Sequence, residues 1–305
     1  TPFPYTTLFR SGAHGWLVSA DDTGYDVARA LYPEDLLAWV QQTQPRAWEA
    51  LVKSHGAAAG ETLLTRVRAQ LDARGTLDVL RQGVELLGLR APVQLAQFKP
   101  ALAMNEELVA RYQANRLRVM RQVHYSLGSG NSLDLVLFCN GLPVATCELK
   151  TDFTQRVQDA IDQYRFDRPV RGKGGTSEPL LSFPRGALVH FAVSTSEVHM
   201  TTRLDGKDTR FLPFNRGDHG GAGNPEGAGG FRTAYLWEQV LEREGWLEIL
   251  GRYLVARRDD KRNLTAVLFP RYHQLDATRR LVAAVLAEGP GGRYLIQHSA
   301  GSGKT

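Results

Sequence analysis

Three charged residues interrupt two otherwise apolar runs in the middle of this 305-residue sequence. Asp134 lies in LDLVLFCN, whereas Glu148 and Lys150 lie two residues apart in LPVATCELK. Because buried charges need partners or a metal, the three residues are candidates for chemistry. Mg²⁺ takes one or two carboxylates together with waters and phosphate oxygens, so Asp134 and Glu148 suit this metal, with the Leu149 carbonyl as a third ligand. Lys150 could hold an attacking water and offset charge in a phosphoryl transition state. A structural ion triad in the sheet is the alternative.

The hairpin between the two runs decides whether the carboxylates can meet. Asp134 shares a face with Glu148 only for some strand registers, because side chains alternate between the two faces. A plain two-residue loop at Asn140–Gly141 would put the carboxylates on opposite faces. We therefore expect a three-residue loop, Cys139–Gly141, which pairs Asp134 with Thr146 and places it diagonal to Glu148. Carboxylates on opposite faces would exclude the active site.

The elements that must carry these residues follow from the spacing of apolar residues. Helical spacing from Tyr25 to Leu89 predicts several packed helices. Beyond them the pattern predicts a helix over 105–116 and three antiparallel-type strands over 117–125, 133–140 and 142–150. The steps of three or four residues from Phe153 through Val157 and Ile161 to Tyr164 then predict a helix over roughly 154–166. A strand over 187–193 and a helical region over 236–254 follow.

A glycine-rich turn forms a second constellation, at Gly301, Ser302, Gly303, Lys304 and Thr305 after a predicted strand over 293–297. In a P-loop, glycines let backbone N–H groups face phosphate oxygens, the lysine reaches the β and γ phosphates, and the hydroxyl binds Mg²⁺. His298 replaces the first glycine of the strict pattern. The turn predicts an ATP site, and a chance glycine turn is the alternative.

The segment Phe269–Gln274, upstream of this turn, resembles the adenine-contacting segment that precedes the P-loop in superfamily 2 helicases. Gln274 stands in the position that contacts the base. Taken by itself, Gln274 is equally consistent with capping a helix. Together with the P-loop, the segment favours the start of a helicase motor.

The order of elements around Asp134 resembles the core of the PD-(D/E)xK nucleases, with Glu148-Leu149-Lys150 as the ExK motif and Leu133 where many members have proline. With the helicase-like start, the chain resembles the N-terminal part of the restriction (R) subunit of type I restriction-modification enzymes, from about residue 60 onward. The segments that carry the likeness are FKPALAMNEELVARYQANRL, FCNGLPVATCELKTDFTQ, AIDQYRFDRP, FLPFNRG with GGAGNP, LWEQVLEREGWLEILGRYL and FPRYHQLDATR.

This resemblance implies a subunit that cuts double-stranded DNA with Mg²⁺ away from the recognition site and translocates DNA with ATP. Its implied partners are methyltransferase (M) and specificity (S) subunits. The alternatives are a PD-(D/E)xK nuclease-helicase of another system, such as a recombination exonuclease, and a non-catalytic DNA-clamping module.

Further site residues are implied by the resemblance alone. Family members have a Q-x-x-x-Y element after the ExK strand, for which Gln163 is the candidate. Asp167 stands at the tyrosine position, and the adjacent Tyr164 is a second candidate that is equally typical of a helix core. Glu106 or Glu107 could supply the auxiliary acid of many members or could be an exposed charge.

The composition, with 43% hydrophobic and 23% charged residues, is typical of a soluble globular chain. A net charge of +5 permits a nucleic-acid partner without demonstrating one. Two cysteines, expected to be reduced, exclude a disulfide-rich secreted domain, and no apolar run reaches the roughly 18 residues of a membrane span. We therefore expect a cytoplasmic protein without membrane contact. Seven arginines could neutralise DNA phosphates: Arg111, Arg116, Arg118, Arg121, Arg156, Arg165 and Arg168.

The expected fold class is α/β: a PD-(D/E)xK restriction-endonuclease-like core, with a mixed sheet flanked by helices, a helical N-terminal section and a truncated start of a RecA-like motor domain. The expected organisation is a candidate non-native leader at 1–13, the helical section at 14–100, the nuclease core at 101–215, a glycine-rich loop at 216–232, a helical connection at 233–263 and the motor start at 264–305. Because the later motor motifs are absent from this sequence, we expect no ATPase turnover by the chain alone.

Overall fold

The computed structural model describes residues 15–102, 104–172, 174–219, 221–227 and 231–297. The predicted ATP site at 301–305 therefore lies outside the described residues, as does the leader. Two compact units divide the chain after Phe269. Within the described residues, no helix has the length and apolar character that crossing a membrane would need.

A helical section precedes the sheet, as the apolar spacing predicts. Its helices are α1 (Pro33–Thr43), α2 (Pro45–His55), α3 (Ala59–Arg74) and α4 (Thr76–Gln82), with a 3-10 turn at Gly56–Ala58. Pro33 and Pro45 open their helices, where the missing N–H has no helical partner to lose. Leu63, Val67 and Leu71 form the fully buried stripe of α3.

A seven-stranded mixed sheet forms the centre of the molecule's first unit. Its strands, hydrogen-bonded in sequence order, are β1 (Trp16–Ser19), β2 (Leu117–His124), β3 (Ser132–Cys139), β4 (Leu142–Leu149), β5 (Val189–Val193), β6 (Val198–Thr201) and β7 (Leu212–Pro213). The pairs β1–β2 and β4–β5 are parallel, and the others are antiparallel. The mixed α/β architecture is as expected, although β1, β6 and β7 were not predicted.

Two helices complete the predicted order of helix, three strands, helix and strand. α5 (Glu106–Ala114) precedes β2, and the Asn105 side chain caps it by accepting the Leu108 N–H. α6 (Val157–Asp162) connects β4 to β5 and continues as a π-helical turn, Gln163–Asp167. The predicted helix over 154–166 therefore starts too early.

The hairpin loop differs from the prediction. Cys139 pairs with Leu142, so the loop is the two-residue Asn140–Gly141, with φ values of 48° and 78° that match a type I′ turn. A Cβ on Gly141 would lie 2.3 Å from the Tyr32 carbonyl oxygen, so only glycine fits there.

A β-bulge brings the two carboxylates back to one face of the sheet, which the two-residue loop alone would prevent. Phe138 pairs with Pro143 but Leu137 pairs with Ala145, which leaves Val144 as an additional residue. Pro143 has no N–H for the sheet, and proline inside a paired strand is tolerated at bulges. One extra residue moves every following side chain of β4 to the opposite face of the sheet. Since Leu135 pairs with Cys147, Asp134 lies opposite Glu148, and both carboxylates are on one face.

The segment after β4 corrects the predicted apolar face of the helix. Phe153 precedes α6 and is 89% exposed, so its assignment to a buried helix face was wrong. The chain there forms a turn in which the Gln155 N–H donates to the Thr151 carbonyl. Ala160 and Ile161 instead pack on Ala192 of β5, which holds α6 over the sheet.

The rest of the first unit contains α7 (Arg243–Glu248) between π-helical turns Leu236–Val240 and Ile249–Tyr253, and a hairpin of β8 (Val255–Arg258) and β9 (Leu264–Leu268). The second unit contains α8 (Tyr272–Glu288). The predicted strand over 293–297 is wrong: no described residue pairs with it, and a strand requires a hydrogen-bonding neighbour.

Candidate active site

Asp134 is held from both neighbouring strands. Its Oδ1 accepts a hydrogen bond from the Gln122 side-chain amide of β2 at 3.0 Å, and its Oδ2 accepts one from the Leu149 backbone N–H of β4 at 2.8 Å. A carboxylate oxygen has two lone pairs, so each keeps capacity for another partner. The side chain is only half-buried, which leaves this end of the site open to solvent.

Glu148 is fully buried beside Asp134. Its Oε1 accepts the Arg168 Nε–H at 2.7 Å, whereas its Oε2 is buried without a hydrogen-bond partner in the described part of the chain. Burial, and after it the negative charge of Asp134 and a hydrogen bond to it, raise the pKa of Glu148 to about 8, although Arg168 acts in the opposite direction. The carboxyl is therefore mostly protonated near neutral pH.

Lys150 follows Glu148 on the same face, at the end of β4. Its backbone N–H donates to the Val193 carbonyl at 2.8 Å, which continues the parallel pairing with β5. The side chain is half-buried, and no hydrogen bond or ion pair engages its ammonium group among the described residues. The cation is thus available to an incoming group.

Gln163 lies in the π-helical turn that follows α6, a feature that is frequent at functional sites. Its Oε1 is buried and lacks a hydrogen-bond partner within the described chain. The same turn carries the chain to Arg168, which reaches Glu148. After Glu148, Gln163 is thus a second residue of the candidate site with a buried oxygen that has no hydrogen-bond partner in the described chain.

Tyr164 belongs to the core behind the site. Its hydroxyl is hydrogen-bonded to Thr146 at 2.7 Å, and Thr146 is also bonded to the His190 Nδ1 at 2.7 Å. Burial lowers the pKa of His190 to about 3, so this ring stays neutral. Tyr164 is fully buried, as expected for the alternative in which it is a core residue of the helix.

Glu106 and Glu107 lie exposed at the start of α5. Glu107 forms an ion pair with Arg111 at 2.7 Å, one helical turn further on. Neither glutamate contacts Asp134 or Glu148 in the described chain. Their geometry is that of exposed helix charges.

Several arginines of the expected phosphate-binding group have protein partners. Arg116 and Arg118 pair with the buried Asp35, Arg168 pairs with Glu148, and Arg165 donates to the Thr209 carbonyl. The single negative charge of Asp35 offsets one of the two guanidinium charges, so the cluster of Arg116, Arg118 and Asp35 keeps a net charge of +1.

Gln274 lies in the first turn of α8. Its Oε1 accepts the Arg271 backbone N–H at 3.0 Å, which is the reciprocal half of a helix cap. Gln274 therefore caps α8, as the alternative interpretation expects. The proposed adenine contact stays a prediction.

The donor set around Asp134 and Glu148 fits a hard divalent cation. It offers two carboxylates on one face, one of them with an unpaired buried oxygen, beside the Leu149 carbonyl. No group of three or more His, Cys, Asp or Glu side chains in the described ranges could hold a metal. Mg²⁺ needs no such group, because waters and substrate phosphate oxygens complete its shell.

Sequence reasoning missed two residues of this site. Gln122 carried no signal, because a polar residue on a strand near a loop is ordinary. Arg168 was grouped with phosphate-binding arginines, although a buried glutamate in a central strand demands a cationic partner. That demand could have singled out an arginine in the segment after α6.

The comparisons with known proteins point in one direction. The family model described as "Type I restriction enzyme R protein N terminus (HSDR_N)" matches residues 41–209, which is more than half of the chain. The matched region contains β2 to β6 and every residue of the candidate site. A search of curated proteins gave no match.

Proposed function

The chain belongs to the family of type I restriction enzyme R protein N-termini, and from this premise we propose that it is the DNA-cleaving part of an R subunit, with a PD-(D/E)xK active site at Asp134, Glu148 and Lys150. The reaction is Mg²⁺-dependent hydrolysis of phosphodiester bonds in double-stranded DNA away from the recognition site. One observation supports this proposal above all: a fully buried glutamate with an unpaired oxygen lies beside an aspartate that two strands hold in place.

In this proposal, Asp134 and Glu148 hold the metal, which supplies positive charge that polarises the scissile phosphate. Arg168 favours the ionised form of Glu148 that metal binding requires. The ammonium of Lys150 orients the attacking water and stabilises negative charge on the phosphate. The buried amide oxygen of Gln163 orients groups at the same end of the sheet.

The wider activity is also proposed from the family. A RecA-like motor that starts at about residue 264 would bind ATP through Gly301, Ser302, Gly303, Lys304 and Thr305, with Gln274 at the adenine. Translocation of DNA would then deliver it to the nuclease. M and S subunits would supply sequence recognition.

The test uses the R subunit reconstituted with its M and S subunits, ATP, Mg²⁺ and DNA that carries the recognition site. Glu148→Gln and Lys150→Ala should each lower DNA cleavage by on the order of 100-fold, the cost of removing one charge-stabilising group. ATP hydrolysis by the same complexes should be retained, which shows that assembly and motor are intact.

Lys53→Ala provides the matched control, because Lys53 is an exposed lysine on α2. It should leave cleavage unchanged. If Glu148→Gln and Lys150→Ala also cleave at the parent rate, the three charges serve the fold alone and this chain clamps DNA without cutting it.

A further inference from the structure

Gln122 has a left-handed backbone conformation inside a regular strand. Its φ is 49°, although β2 continues on both sides of it, from Leu117 to His124. A residue with a Cβ is strained in this region, and glycine is not. Strain of this kind persists only where the surrounding contacts hold it.

The pairing of β2 with β3 skips Gln122, but no inserted residue explains this conformation. Arg121 pairs with Leu135 and Val123 pairs with Leu133, so the register passes Gln122 without an inserted residue. The Gln122 side chain is exposed, so burial does not offset the strain. Its contacts must therefore account for it.

Both ends of the Gln122 amide are engaged. Its Nε2 donates to Asp134 Oδ1 at 3.0 Å, and its Oε1 accepts the Ser132 hydroxyl at 3.3 Å. A carboxylate can only accept, so the amide nitrogen must face Asp134. The Ser132 hydroxyl then keeps the amide from turning over.

We propose that Gln122 is a positioning residue for the metal-binding carboxylate of Asp134. The strained backbone directs the amide N–H at Oδ1, while the Leu149 N–H holds Oδ2. One lone pair on each oxygen then stays available to the metal. Donors that orient a metal ligand typically change metal affinity about 10- to 100-fold. The inference rests on the proposed function, in which Asp134 binds Mg²⁺.

The experiment compares Gln122→Gly with the parent chain, with Mn²⁺ as the probe metal. Glycine relieves the backbone strain and removes the amide. The Tm of the metal-free protein should therefore stay equal or rise, while isothermal titration calorimetry should show Mn²⁺ bound about 10-fold or more weakly. A residue that merely stabilised the fold would lower Tm when replaced by glycine.

Two further variants make the result specific. Gln122→Asn tolerates the left-handed conformation, but its amide is one methylene too short, so Tm should be kept and Mn²⁺ affinity should fall. Arg262→Gly is the matched control, because Arg262 is exposed with a φ of 64° in the β8–β9 turn. It should raise or keep Tm and leave Mn²⁺ affinity unchanged.

Asp134→Ala separates this inference from the proposed function. If Asp134→Ala abolishes Mn²⁺ binding but Gln122→Gly and Gln122→Asn bind Mn²⁺ like the parent, Gln122 has no positioning role and the metal site stands. If Asp134→Ala also binds like the parent, or the parent binds no Mn²⁺, the metal site itself is wrong and the inference is overturned with it.

Discussion

Two buried ion pairs in this molecule have the same burial but different chemistry. Asp35 and Glu148 are both 0% exposed, and their arginine partners Arg118 and Arg168 are both 11% exposed. Burial therefore cannot tell which carboxylate serves the fold and which serves the site. The number of carboxylate oxygens that accept a hydrogen bond distinguishes the two.

At Asp35, both oxygens are satisfied. Arg118 donates to Oδ2 at 2.6 Å and to Oδ1 at 3.0 Å, and Arg116 donates to Oδ1 at 2.7 Å. Arg118 also stacks over Tyr32, 4.3 Å from the ring centre. This cluster attaches the first turn of α1 to β2. It leaves no buried acceptor for a ligand.

At Glu148, only Oε1 accepts a hydrogen bond within the described chain, and burial beside Asp134 raises the pKa to about 8. An unsatisfied buried polar atom costs stability and needs an explanation. A ligand that binds there supplies one. The comparison thus separates a carboxylate that is saturated by the fold from one that the fold leaves incomplete.

The largest effect should come from removing each carboxylate charge in turn. Asp35→Asn turns an amide N–H towards guanidinium donors and breaks a buried pair, so the free energy of unfolding should fall by about 3 kcal/mol or more. At pH 5, where the Glu148 carboxyl is protonated, Glu148→Gln replaces one neutral group by another, so the change should be at most about 1 kcal/mol. Urea unfolding of the metal-free proteins measures both. Equal losses of unfolding free energy would mean that the two ion pairs stabilise the fold to the same extent.

A smaller effect should follow from removing the arginines. Arg118→Met should lower the free energy of unfolding by about 2 kcal/mol through its lost charged hydrogen bonds and should leave Ca²⁺ affinity unchanged. Arg168→Met removes the cation that opposes the rise in the pKa of Glu148, so the carboxyl is more protonated at pH 8 and Ca²⁺ should bind about tenfold more weakly. Calorimetric titration of the two variants distinguishes the pairs. A change of Ca²⁺ affinity in Arg118→Met would remove the distinction.

Much of this site could be predicted from the sequence, because charges inside apolar runs are locally visible. Asp134, Glu148 and Lys150 were found that way, and alternation alone placed Glu148 and Lys150 on one face. Their convergence with Asp134 depended on the hairpin. The predicted three-residue loop was wrong, although a bulge at Pro143 and Val144 achieves the same face.

The remaining errors have a common physical cause, which is that they depend on distant contacts. β1 pairs with β2 across about a hundred residues of sequence, so no local pattern reports it. Phe153 has helical spacing but lies outside the helix. The left-handed φ of Gln122 is set by its partners Asp134 and Ser132. Pro143 was the one unused local signal, since proline inside a strand predicts a bulge.

Per pH unit, the smallest effect is the one that isolates the ionisation of Glu148. Its pKa rises from 4.5 to about 8 on folding, so the unfolded chain loses this proton first. The stability that Glu148 contributes is therefore complete below pH 4.5 and is lost as the pH rises to about 8, by at most about 1.4 kcal/mol per pH unit. In EDTA, the free energy of unfolding of Glu148→Gln relative to the parent should increase from pH 5 to pH 8.

Subtracting the parent removes the other titrating groups from this difference. His190, whose pKa is lowered to about 3, loses stability in the opposite direction as the pH falls below 6.5, but it is common to both proteins. A difference between Glu148→Gln and the parent that stays flat from pH 5 to pH 8 would mean that the incomplete contacts of Glu148 do not hinder its ionisation.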